Sequence, residues 1–242
     1  MESAVPPSCQ TGLHHLPVVE RLTNRPLSPD ILQTDFELGV IRVLGLEFPG
    51  ATLKGYFFHF SQAVWRNTQE RGLSVLYRED HFVQQWIRRS AGLALLPENQ
   101  VQDIWIEAMD GAPIVQRSIE FNDYMVTKWV DDDARFPVPL GNHHQTISPR
   151  TNNNLEGFHH RLNLSLPHRH PNLFRFIDIT KRMEKTEKIK LVQIDFGAAP
   201  PQRKRAYKEL ETRLARLKDH LATGMKTPLE YLDAVGKIIK MD

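Results

Sequence analysis

Between Leu73 and Val130 the apolar residues recur only at helical spacing, three and four positions apart. The helices predicted in this segment span 77–91, 98–109 and 114–129. Trp86, Trp105 and Trp129 fall on their apolar faces, and tryptophans at helical spacing are more often packing residues than ligand contacts. A segment of roughly fifty or more residues is thus predicted to be helical, so we expect the chain to be mostly helical.

Two stretches upstream of this helical segment have the composition of β-strands. Ile31–Thr34 predicts a short strand, and the apolar positions that follow it have helical spacing up to Phe48. The aromatic stretch 53–60 predicts a second strand, and Ser61 and Gln62 are expected to cap the next helix. This order favours two parallel strands joined by a right-handed helical crossover.

Asp35 directly follows the first predicted strand. A carboxylate at the carboxyl end of a parallel strand is well placed to reach a ligand, because open α/β sheets put their sites at that edge. Aspartate is also a common helix N-cap, so capping of the following helix is the alternative role of Asp35. The residues alone leave both roles open.

A single carboxylate, Glu156, lies within the polar and cationic segment 150–163, whose sequence is RTNNNLEGFHHRLN. Asparagines cap helices well, so a helix is predicted to begin near Asn153 or Asn154. Its buried face would consist of Leu155, Phe158 and Leu162. Glu156 would then lie in the first turn, where the helix dipole favours an anion. The residues alone leave open whether Glu156 stabilises the helix or has a chemical role.

The C-terminal part of the chain has an excess of positive charge. The whole chain carries +2, yet residues 150–242 hold about 19 Lys and Arg against about 11 Asp and Glu. Helices are predicted at 173–192 and 203–223, and Thr227 and Pro228 are expected to start a further one. A basic surface suits a phosphate backbone, and an ordinary solvated helix face is the alternative. The cations that we expect to face DNA are Arg161, Lys181, Arg182, Lys185, Arg203, Lys204 and Arg205.

Several features of the sequence argue for an intracellular protein. The chain has 242 residues and one cysteine, so no intrachain disulfide can form. It has neither a signal-like apolar segment nor an apolar run of about 20 residues, so we expect no membrane span. Residues 1–29 are rich in proline and are predicted to be an irregular leader.

Three stretches together resemble the MULE (Mutator-like element) transposases of the DDE class. They are TDFELGVIRVL at 34–44, FPGATLKGYFFHFSQAVWR at 48–66 and the segment 150–163. The resemblance implies an RNase H-like fold, a nuclear location and cleavage and transfer of DNA strands. In such enzymes three carboxylates hold two divalent ions, Mg²⁺ or Mn²⁺. The resemblance assigns the second acid to Asp35 and the last acid to Glu156, as catalytic and metal-binding residues.

Two of the chain's departures from the family pattern concern chemically active residues. The first catalytic Asp of the family lies upstream of the TDFE segment, where this chain has its leader, and no counterpart is visible. Family members usually have Cys-x-x-His where this chain has Tyr56-Phe57-Phe58-His59. Tyrosine does not replace a thiolate as a zinc ligand, so we expect a hydrogen-bonded structural His59 and no zinc.

The predicted fold class is α/β and mostly helical. A partial RNase H-like core of two strands would carry a large all-helical insertion and C-terminal helices. The predicted parts are the leader 1–29, a strand-helix-strand-helix unit at 30–72, the insertion at 73–135, and the last-acid helix with basic helices at 136–242.

The expected function is that of a transposase-derived fragment, catalytically incomplete, that retains binding of DNA or of a partner. The first alternative is an active DDE transposase that cleaves and transfers DNA strands with metal ions. The second is a structural helical module or a degenerate reading frame. Because two strands make a marginal sheet, a homo-oligomer or another chain that completes the sheet is also expected.

Overall fold

The computed structural model describes residues 27–146, 153–166, 168, 171–199, 205–239 and 241, with only the backbone for 153–156. The described chain is mostly helical and contains one small parallel sheet, which confirms the coarse prediction of a mostly helical α/β fold. The strands are β1 (Ile31–Thr34) and β2 (Thr52–Gly55). The α-helices are α1 (Leu38–Glu47), α2 (Phe57–Glu70), α3 (Ser74–Glu79), α4 (His81–Gly92), α5 (Val101–Met109), α6 (Gln116–Met125), α7 (Val138–Gly141), α8 (Asn153–Ser165), α9 (Leu173–Asp195), α10 (Arg205–Ala222) and α11 (Pro228–Gly236).

Three shorter helical segments complete the description. Two 3₁₀-helices, Leu93–Leu95 and Glu98–Gln100, lie between α4 and α5. A π-helix, Val126–Val130, continues α6 without a break. None of the helices in the described ranges is both long enough and apolar enough to cross a membrane.

The chain forms two compact units. The first comprises Met1–Arg150 and Leu214–Asp242, and the second comprises Thr151–Arg213. Helix α10 therefore begins in the second unit and ends in the first.

The sheet of the first unit consists of β1 and β2 in parallel, with Ile31 paired to Thr52 and Thr34 paired to Gly55. The predicted bounds of β1 are confirmed, and so is the helix that connects the two strands. The carboxyl ends of both strands lie at the same edge of the sheet, immediately before Asp35 and Tyr56.

The second strand is shorter than predicted. It ends at Gly55, and Tyr56, in extended backbone, is the N-cap residue of α2. The predicted strand was therefore wrong beyond Gly55, and Ser61 and Gln62 lie inside the helix rather than at its cap. The buried residues of α2 show why a helix forms, because they recur at helical spacing: Phe60, Ser61, Val64, Asn67 and Thr68. Burial of this stripe outweighs the strand propensity of the aromatic residues.

Gly55 closes the sheet at a point of very close packing. A Cβ atom at this position would lie 2.2 Å from Cζ of Phe36. The Phe36 ring packs edge-on against Trp129 and Phe136, with ring centroids 4.8 and 5.1 Å away. The Gly55 carbonyl oxygen accepts a hydrogen bond of 2.8 Å from Nε2 of the fully buried His143. The missing side chain thus lets the residue after Asp35 pack against the end of β2.

The helical core of the first unit is built around the tryptophans. Trp86 and Trp105 are fully buried and Trp129 is nearly so, which confirms them as packing residues. Helix α4 packs most extensively against α11. Arg89 of α4 holds the carboxylate of Asp233 in α11 with two hydrogen bonds, of 2.6 and 2.9 Å.

Two further predictions were wrong in detail. The helix predicted at 77–91 is divided at Asp80, whose carboxylate accepts hydrogen bonds from the backbone N–H groups of Phe82 and Val83 at 2.7 and 3.3 Å. This cap ends α3 and starts α4, because it satisfies N–H groups that lack an intrahelical partner. The segment 136–149, predicted as a loop, contains α7, in which Pro139 occupies an early helical position that tolerates proline.

Outside the sheet, several helix boundaries match the predictions. Helix α8 begins at Asn153, and α11 begins after Thr227 with the reciprocal capping box formed with Glu230. In the second unit, Phe158 and Leu162 of α8 are half-buried, whereas Leu155 lies outside the described side chains. Phe174, at the start of α9, is exposed.

Candidate functional site

The structure places Asp35 at the carboxyl end of β1, as predicted, in the first residue after the parallel pair. Its backbone carbonyl accepts a hydrogen bond of 2.8 Å from the N–H of Glu37. Glu37, not Asp35, is the N-cap residue of α1, and no side chain caps that helix. The capping role considered for Asp35 is therefore wrong, and its carboxylate, 62% exposed, is available for another role.

His59, in the first turn of α2, pairs with this carboxylate. Its Nε2 atom lies 3.0 Å from Oδ1 of Asp35, within ion-pair distance, and the structural role of His59 stays a prediction. The nearby Tyr56 hydroxyl has a raised pKa, because burial disfavours the phenolate and the Asp35 charge disfavours it further. Tyr56 is consequently a neutral neighbour of Asp35 at physiological pH.

Asp35 lies in an open cleft of about 290 Å³, which we call the β1 cleft. Phe36, Trp129 and Phe136 form its apolar lining. Its charged lining residues, besides His59, are Asp35, Glu37, Arg66, Lys128 and Arg135. Three cations against two carboxylates leave the lining with an excess of one positive charge when His59 is neutral.

One face of α2 supplies a row of lining residues. His59, Gln62, Ala63 and Arg66 are spaced as i, i+3, i+4 and i+7, which places them on the same side of a helix. Sequence reasoning missed Arg66 because residues up to Phe60 were assigned to a strand. A helical period counted from Phe57 would have placed Arg66 on the same face as His59.

The π-helix supplies Lys128. Its ammonium nitrogen lies 5.0, 5.5 and 5.9 Å from the ring centroids of Tyr124, Trp129 and Phe136. Burial lowers the pKa of Lys128 below its ordinary value of 10.5, and the nearby Arg135 lowers it further, whereas Glu70 acts in the opposite direction. The positive charge of the half-buried Lys128, which lies beside another cation, is thus stabilised mainly by cation–π contact with the aromatic rings.

Arg135 is fixed beside the π-helix by the backbone. Its N–H donates a 3.0 Å hydrogen bond to the Thr127 carbonyl, and Phe136 N–H donates one of 3.0 Å to the Lys128 carbonyl. The Arg135 guanidinium lies 5.7 Å from the centroid of the Phe136 ring. Among the described residues, no carboxylate oxygen lies within 4.0 Å of the charged nitrogens of Arg66, Lys128 or Arg135. Lys128 and Arg135 were also absent from the sequence predictions, because only the tertiary fold brings both residues to the cleft.

Glu156, the residue predicted as the last acid, lies in the first turn of α8, as predicted. Its side chain lies outside the described ones, and α8 belongs to the other compact unit. Within the described part of the chain, no group of three or more His, Cys, Asp or Glu side chains is arranged to hold a metal ion. A metal site shared by Asp35 and Glu156 therefore stays a prediction.

Most of the described cations that were predicted to face DNA are engaged by carboxylates of the second unit. The ion pairs are Arg161 with Glu187 at 2.8 Å, Arg182 with Asp178 at 2.9 Å, and Arg205 with Glu209 at 2.6 Å. Such exposed pairs contribute little to stability, yet they reduce the positive potential of the helix surface.

The remaining members of that predicted set differ. Lys181 and Lys185 have no carboxylate within 4.0 Å in the described ranges. Arg203 and Lys204 lie outside the described residues. Their contact with DNA stays a prediction.

Comparisons of the chain with protein-family models, with curated proteins and with solved structures give no match. The resemblance to the MULE transposases thus stays a prediction, based on the three stretches quoted above and on the acids within them. Function must accordingly be argued from the chemistry of the site.

Proposed function

We propose that this chain is derived from a MULE transposase and binds duplex DNA without cleaving it. The observation that carries the proposal is the position of Asp35, at the carboxyl end of β1 and in a cleft with three cations. An acid at that edge matches the family's second catalytic Asp. The surrounding cations suit the phosphates of a nucleic-acid backbone.

A partial RNase H-like core is part of this proposal. The order of strand, acid, helix and parallel strand in residues 31–55 supports it, as do the three stretches of sequence resemblance. Helices α3 to α6 would then correspond to the helical insertion between the second and last acids.

The proposed loss of cleavage rests on the acids. A two-metal mechanism requires carboxylates that hold both ions, and the sequence offers counterparts for two of the family's three acids. In addition, Oδ1 of Asp35 is engaged by His59 at 3.0 Å, so a metal ion would have to compete with the imidazole for that oxygen. Mg²⁺ or Mn²⁺ would suit the oxygens of Asp35 and Glu156, and such ions activate the attacking oxygen in strand cleavage.

The test is an assay of binding and nicking on the same supercoiled plasmid and the same short duplex, with Mg²⁺ or Mn²⁺ present. Binding that weakens as salt rises, with no nicking by either the natural chain or Glu156→Gln, is the expected result. Nicking that disappears in both Asp35→Asn and Glu156→Gln would establish the active transposase instead. Absence of duplex binding at low salt would support the structural module.

We also propose that the sheet is completed by a second copy of the chain or by another protein. In the described ranges β1 and β2 pair only with each other, and Ile31 at the start of β1 is 56% exposed. Two strands are marginal by themselves, and open strand edges are templates for pairing. Sedimentation equilibrium should show association that strengthens with concentration, whereas a monomer at every concentration would exclude self-association.

A further inference from the structure

We infer that Lys128 and Arg135, together with Arg66, form a binding site for a single phosphodiester group in the β1 cleft. The inference rests on the proposed function where it names the DNA backbone as the source of that phosphate. The chemistry of the site, a cation cluster that selects a phosphate oxyanion, is argued from the first unit alone.

The first argument is the supply of free donors. The described residues provide no carboxylate within ion-pair distance of these three side chains, although Arg161, Arg182 and Arg205 of the basic helices all have one. A guanidinium offers a planar fork that matches two phosphate oxygens, and an ammonium acts as a point charge. Lys128 and Arg135 are therefore complementary donors for one phosphate.

The second argument is the cost of keeping these cations together. Burial disfavours the charged form of Lys128, and Arg135 disfavours it further through like-charge repulsion, as its lowered pKa reflects. A positive charge at Lys128 therefore carries an electrostatic cost. A bound phosphate would remove the repulsion, because it interacts favourably with both charges.

The third argument concerns the charge of the ligand. Asp35 and Glu37 lie in the same cleft and repel anions, which leaves the lining with an excess of one positive charge when His59 is neutral. A phosphodiester carries one negative charge and matches this excess better than a doubly charged free phosphate. The cleft, of about 290 Å³, is also open to solvent, so a strand that lies across its mouth can place one phosphate against the cations.

The fourth argument is the rigidity of the donors. The ammonium nitrogen of Lys128 lies within 6 Å of three aromatic ring centroids. The Arg135 backbone is held by its hydrogen bond to Thr127, and its guanidinium lies 5.7 Å from the centroid of the Phe136 ring. The π-helix itself is a departure from regular helical geometry, and such segments are frequent at functional sites. Donors that are already ordered lose less entropy on binding.

The test compares Lys128→Met/Arg135→Met with the natural chain for binding to a short duplex at several salt concentrations. Both changes keep the apolar stems, so thermal unfolding should show a folded protein. We expect the double variant to bind about tenfold or more weakly, and the slope of log affinity against log salt to become shallower by about one, because one phosphate loses its cations. The matched control is Arg42→Gln/Arg78→Gln, which removes two exposed cations of the same unit outside the cleft and should change affinity far less. Lys128→Arg/Arg135→Lys retains both charges, so it should keep the salt slope of the natural chain and lose less affinity than the double methionine variant.

A second arm distinguishes the source of the phosphate. Inorganic phosphate and a dinucleotide containing one phosphodiester are each tested for protection of the natural chain and of the double variant against thermal unfolding. Protection by the dinucleotide that disappears in the double variant supports the site. If inorganic phosphate protects the chain but the chain does not bind duplex, the anion site is supported. DNA is then refuted as its ligand, and the proposed function is refuted with it. Unchanged duplex affinity and salt slope in the double variant would overturn the inference, while duplex binding by the natural chain would still stand.

Discussion

Replacement of Gly55 by alanine tests whether the end of β2 and the residue after Asp35 pack as closely as described. The added Cβ would lie 2.2, 2.4 and 2.8 Å from three atoms of the Phe36 ring, and real Cβ atoms essentially never approach other heavy atoms to less than 3.0 Å. The ring has little room to move, because it packs edge-on against Trp129 and Phe136. Gly55 lies at a negative φ, so backbone strain does not contribute to the effect.

The magnitude follows from two effects. Insertion of a methyl group into a packed core costs about 1–3 kcal/mol, and each displaced aromatic pair adds about 0.5–1.5 kcal/mol. With both aromatic pairs displaced, we therefore expect Gly55→Ala to reduce the free energy of unfolding by about 2–6 kcal/mol, measured by urea denaturation. Because the Phe36 backbone is bonded to Asp35, duplex affinity should fall as well.

The matched control is Gly50→Ala, at a glycine of the same unit whose added Cβ would meet no atom within 4 Å. This change should be neutral, or stabilising by up to about 1 kcal/mol, because it restricts the unfolded chain. Phe36→Leu removes most of the ring, so Gly55→Ala should cost much less in that background. A cost for Gly55→Ala within about 0.5 kcal/mol of the Gly50→Ala value would refute the packing described here.

Three further predictions concern stability and charge. The carboxyl of Asp233 is subject to burial, which alone would raise its pKa, but the hydrogen bonds and charge of Arg89 hold the pKa below its ordinary 3.8. The stability it provides is thus present above that pH and is lost as the pH falls through the lower folded pKa. Asp233→Asn should lower the free energy of unfolding by about 1–2 kcal/mol at pH 7, and urea denaturation at several pH values should show this difference shrinking below pH 3.8. Lys128→Met should leave the urea midpoint unchanged or raise it, because it removes a charge that burial disfavours, while duplex affinity falls. A lower midpoint would contradict the description of Lys128 as a cation disfavoured by burial. Thr227→Ala removes the reciprocal cap with Glu230 and should cost about 1 kcal/mol in urea denaturation, whereas Thr227→Ser should cost little.

Much of the fold could be predicted because it depends on local patterns. The bounds of β1, the start of α8 at Asn153 and the capping box at Thr227 all follow from residues adjacent in sequence. The position of Asp35 followed from the same reasoning. Once the last residue of β1 is predicted, the residue after it must lie at the carboxyl edge of the sheet.

The stretch from Tyr56 to Phe60 shows where local patterns fail. Aromatic residues are favoured in strands, and the sequence of these five positions alone does not indicate that Phe60 begins a buried helical stripe continuing to Thr68. The close approach of the Phe36 ring to Gly55 is likewise a contact between residues far apart in sequence, which a local pattern does not show.

The cationic part of the β1 cleft was hidden from sequence reasoning for a related reason. Arg66 required the correct start of α2, whereas Lys128 and Arg135 required the π-helix and the turn after it. Neither a π-helix nor the approach of two distant segments has a signal in hydrophobic periodicity. Conversely, the abundance of lysine and arginine drew attention to α9, where Arg182 is engaged by Asp178.

The dependence of duplex DNA affinity on salt concentration tests the central claim most directly. Each phosphate that a cation neutralises contributes about −0.9 to the slope of log affinity against log salt for duplex DNA. Because the β1 cleft holds one phosphate, the full chain should bind a short duplex with a slope of about −1 or steeper, between roughly 0.05 and 0.2 M salt. Absence of binding at the lowest salt, or an affinity that does not change with salt, would contradict the account.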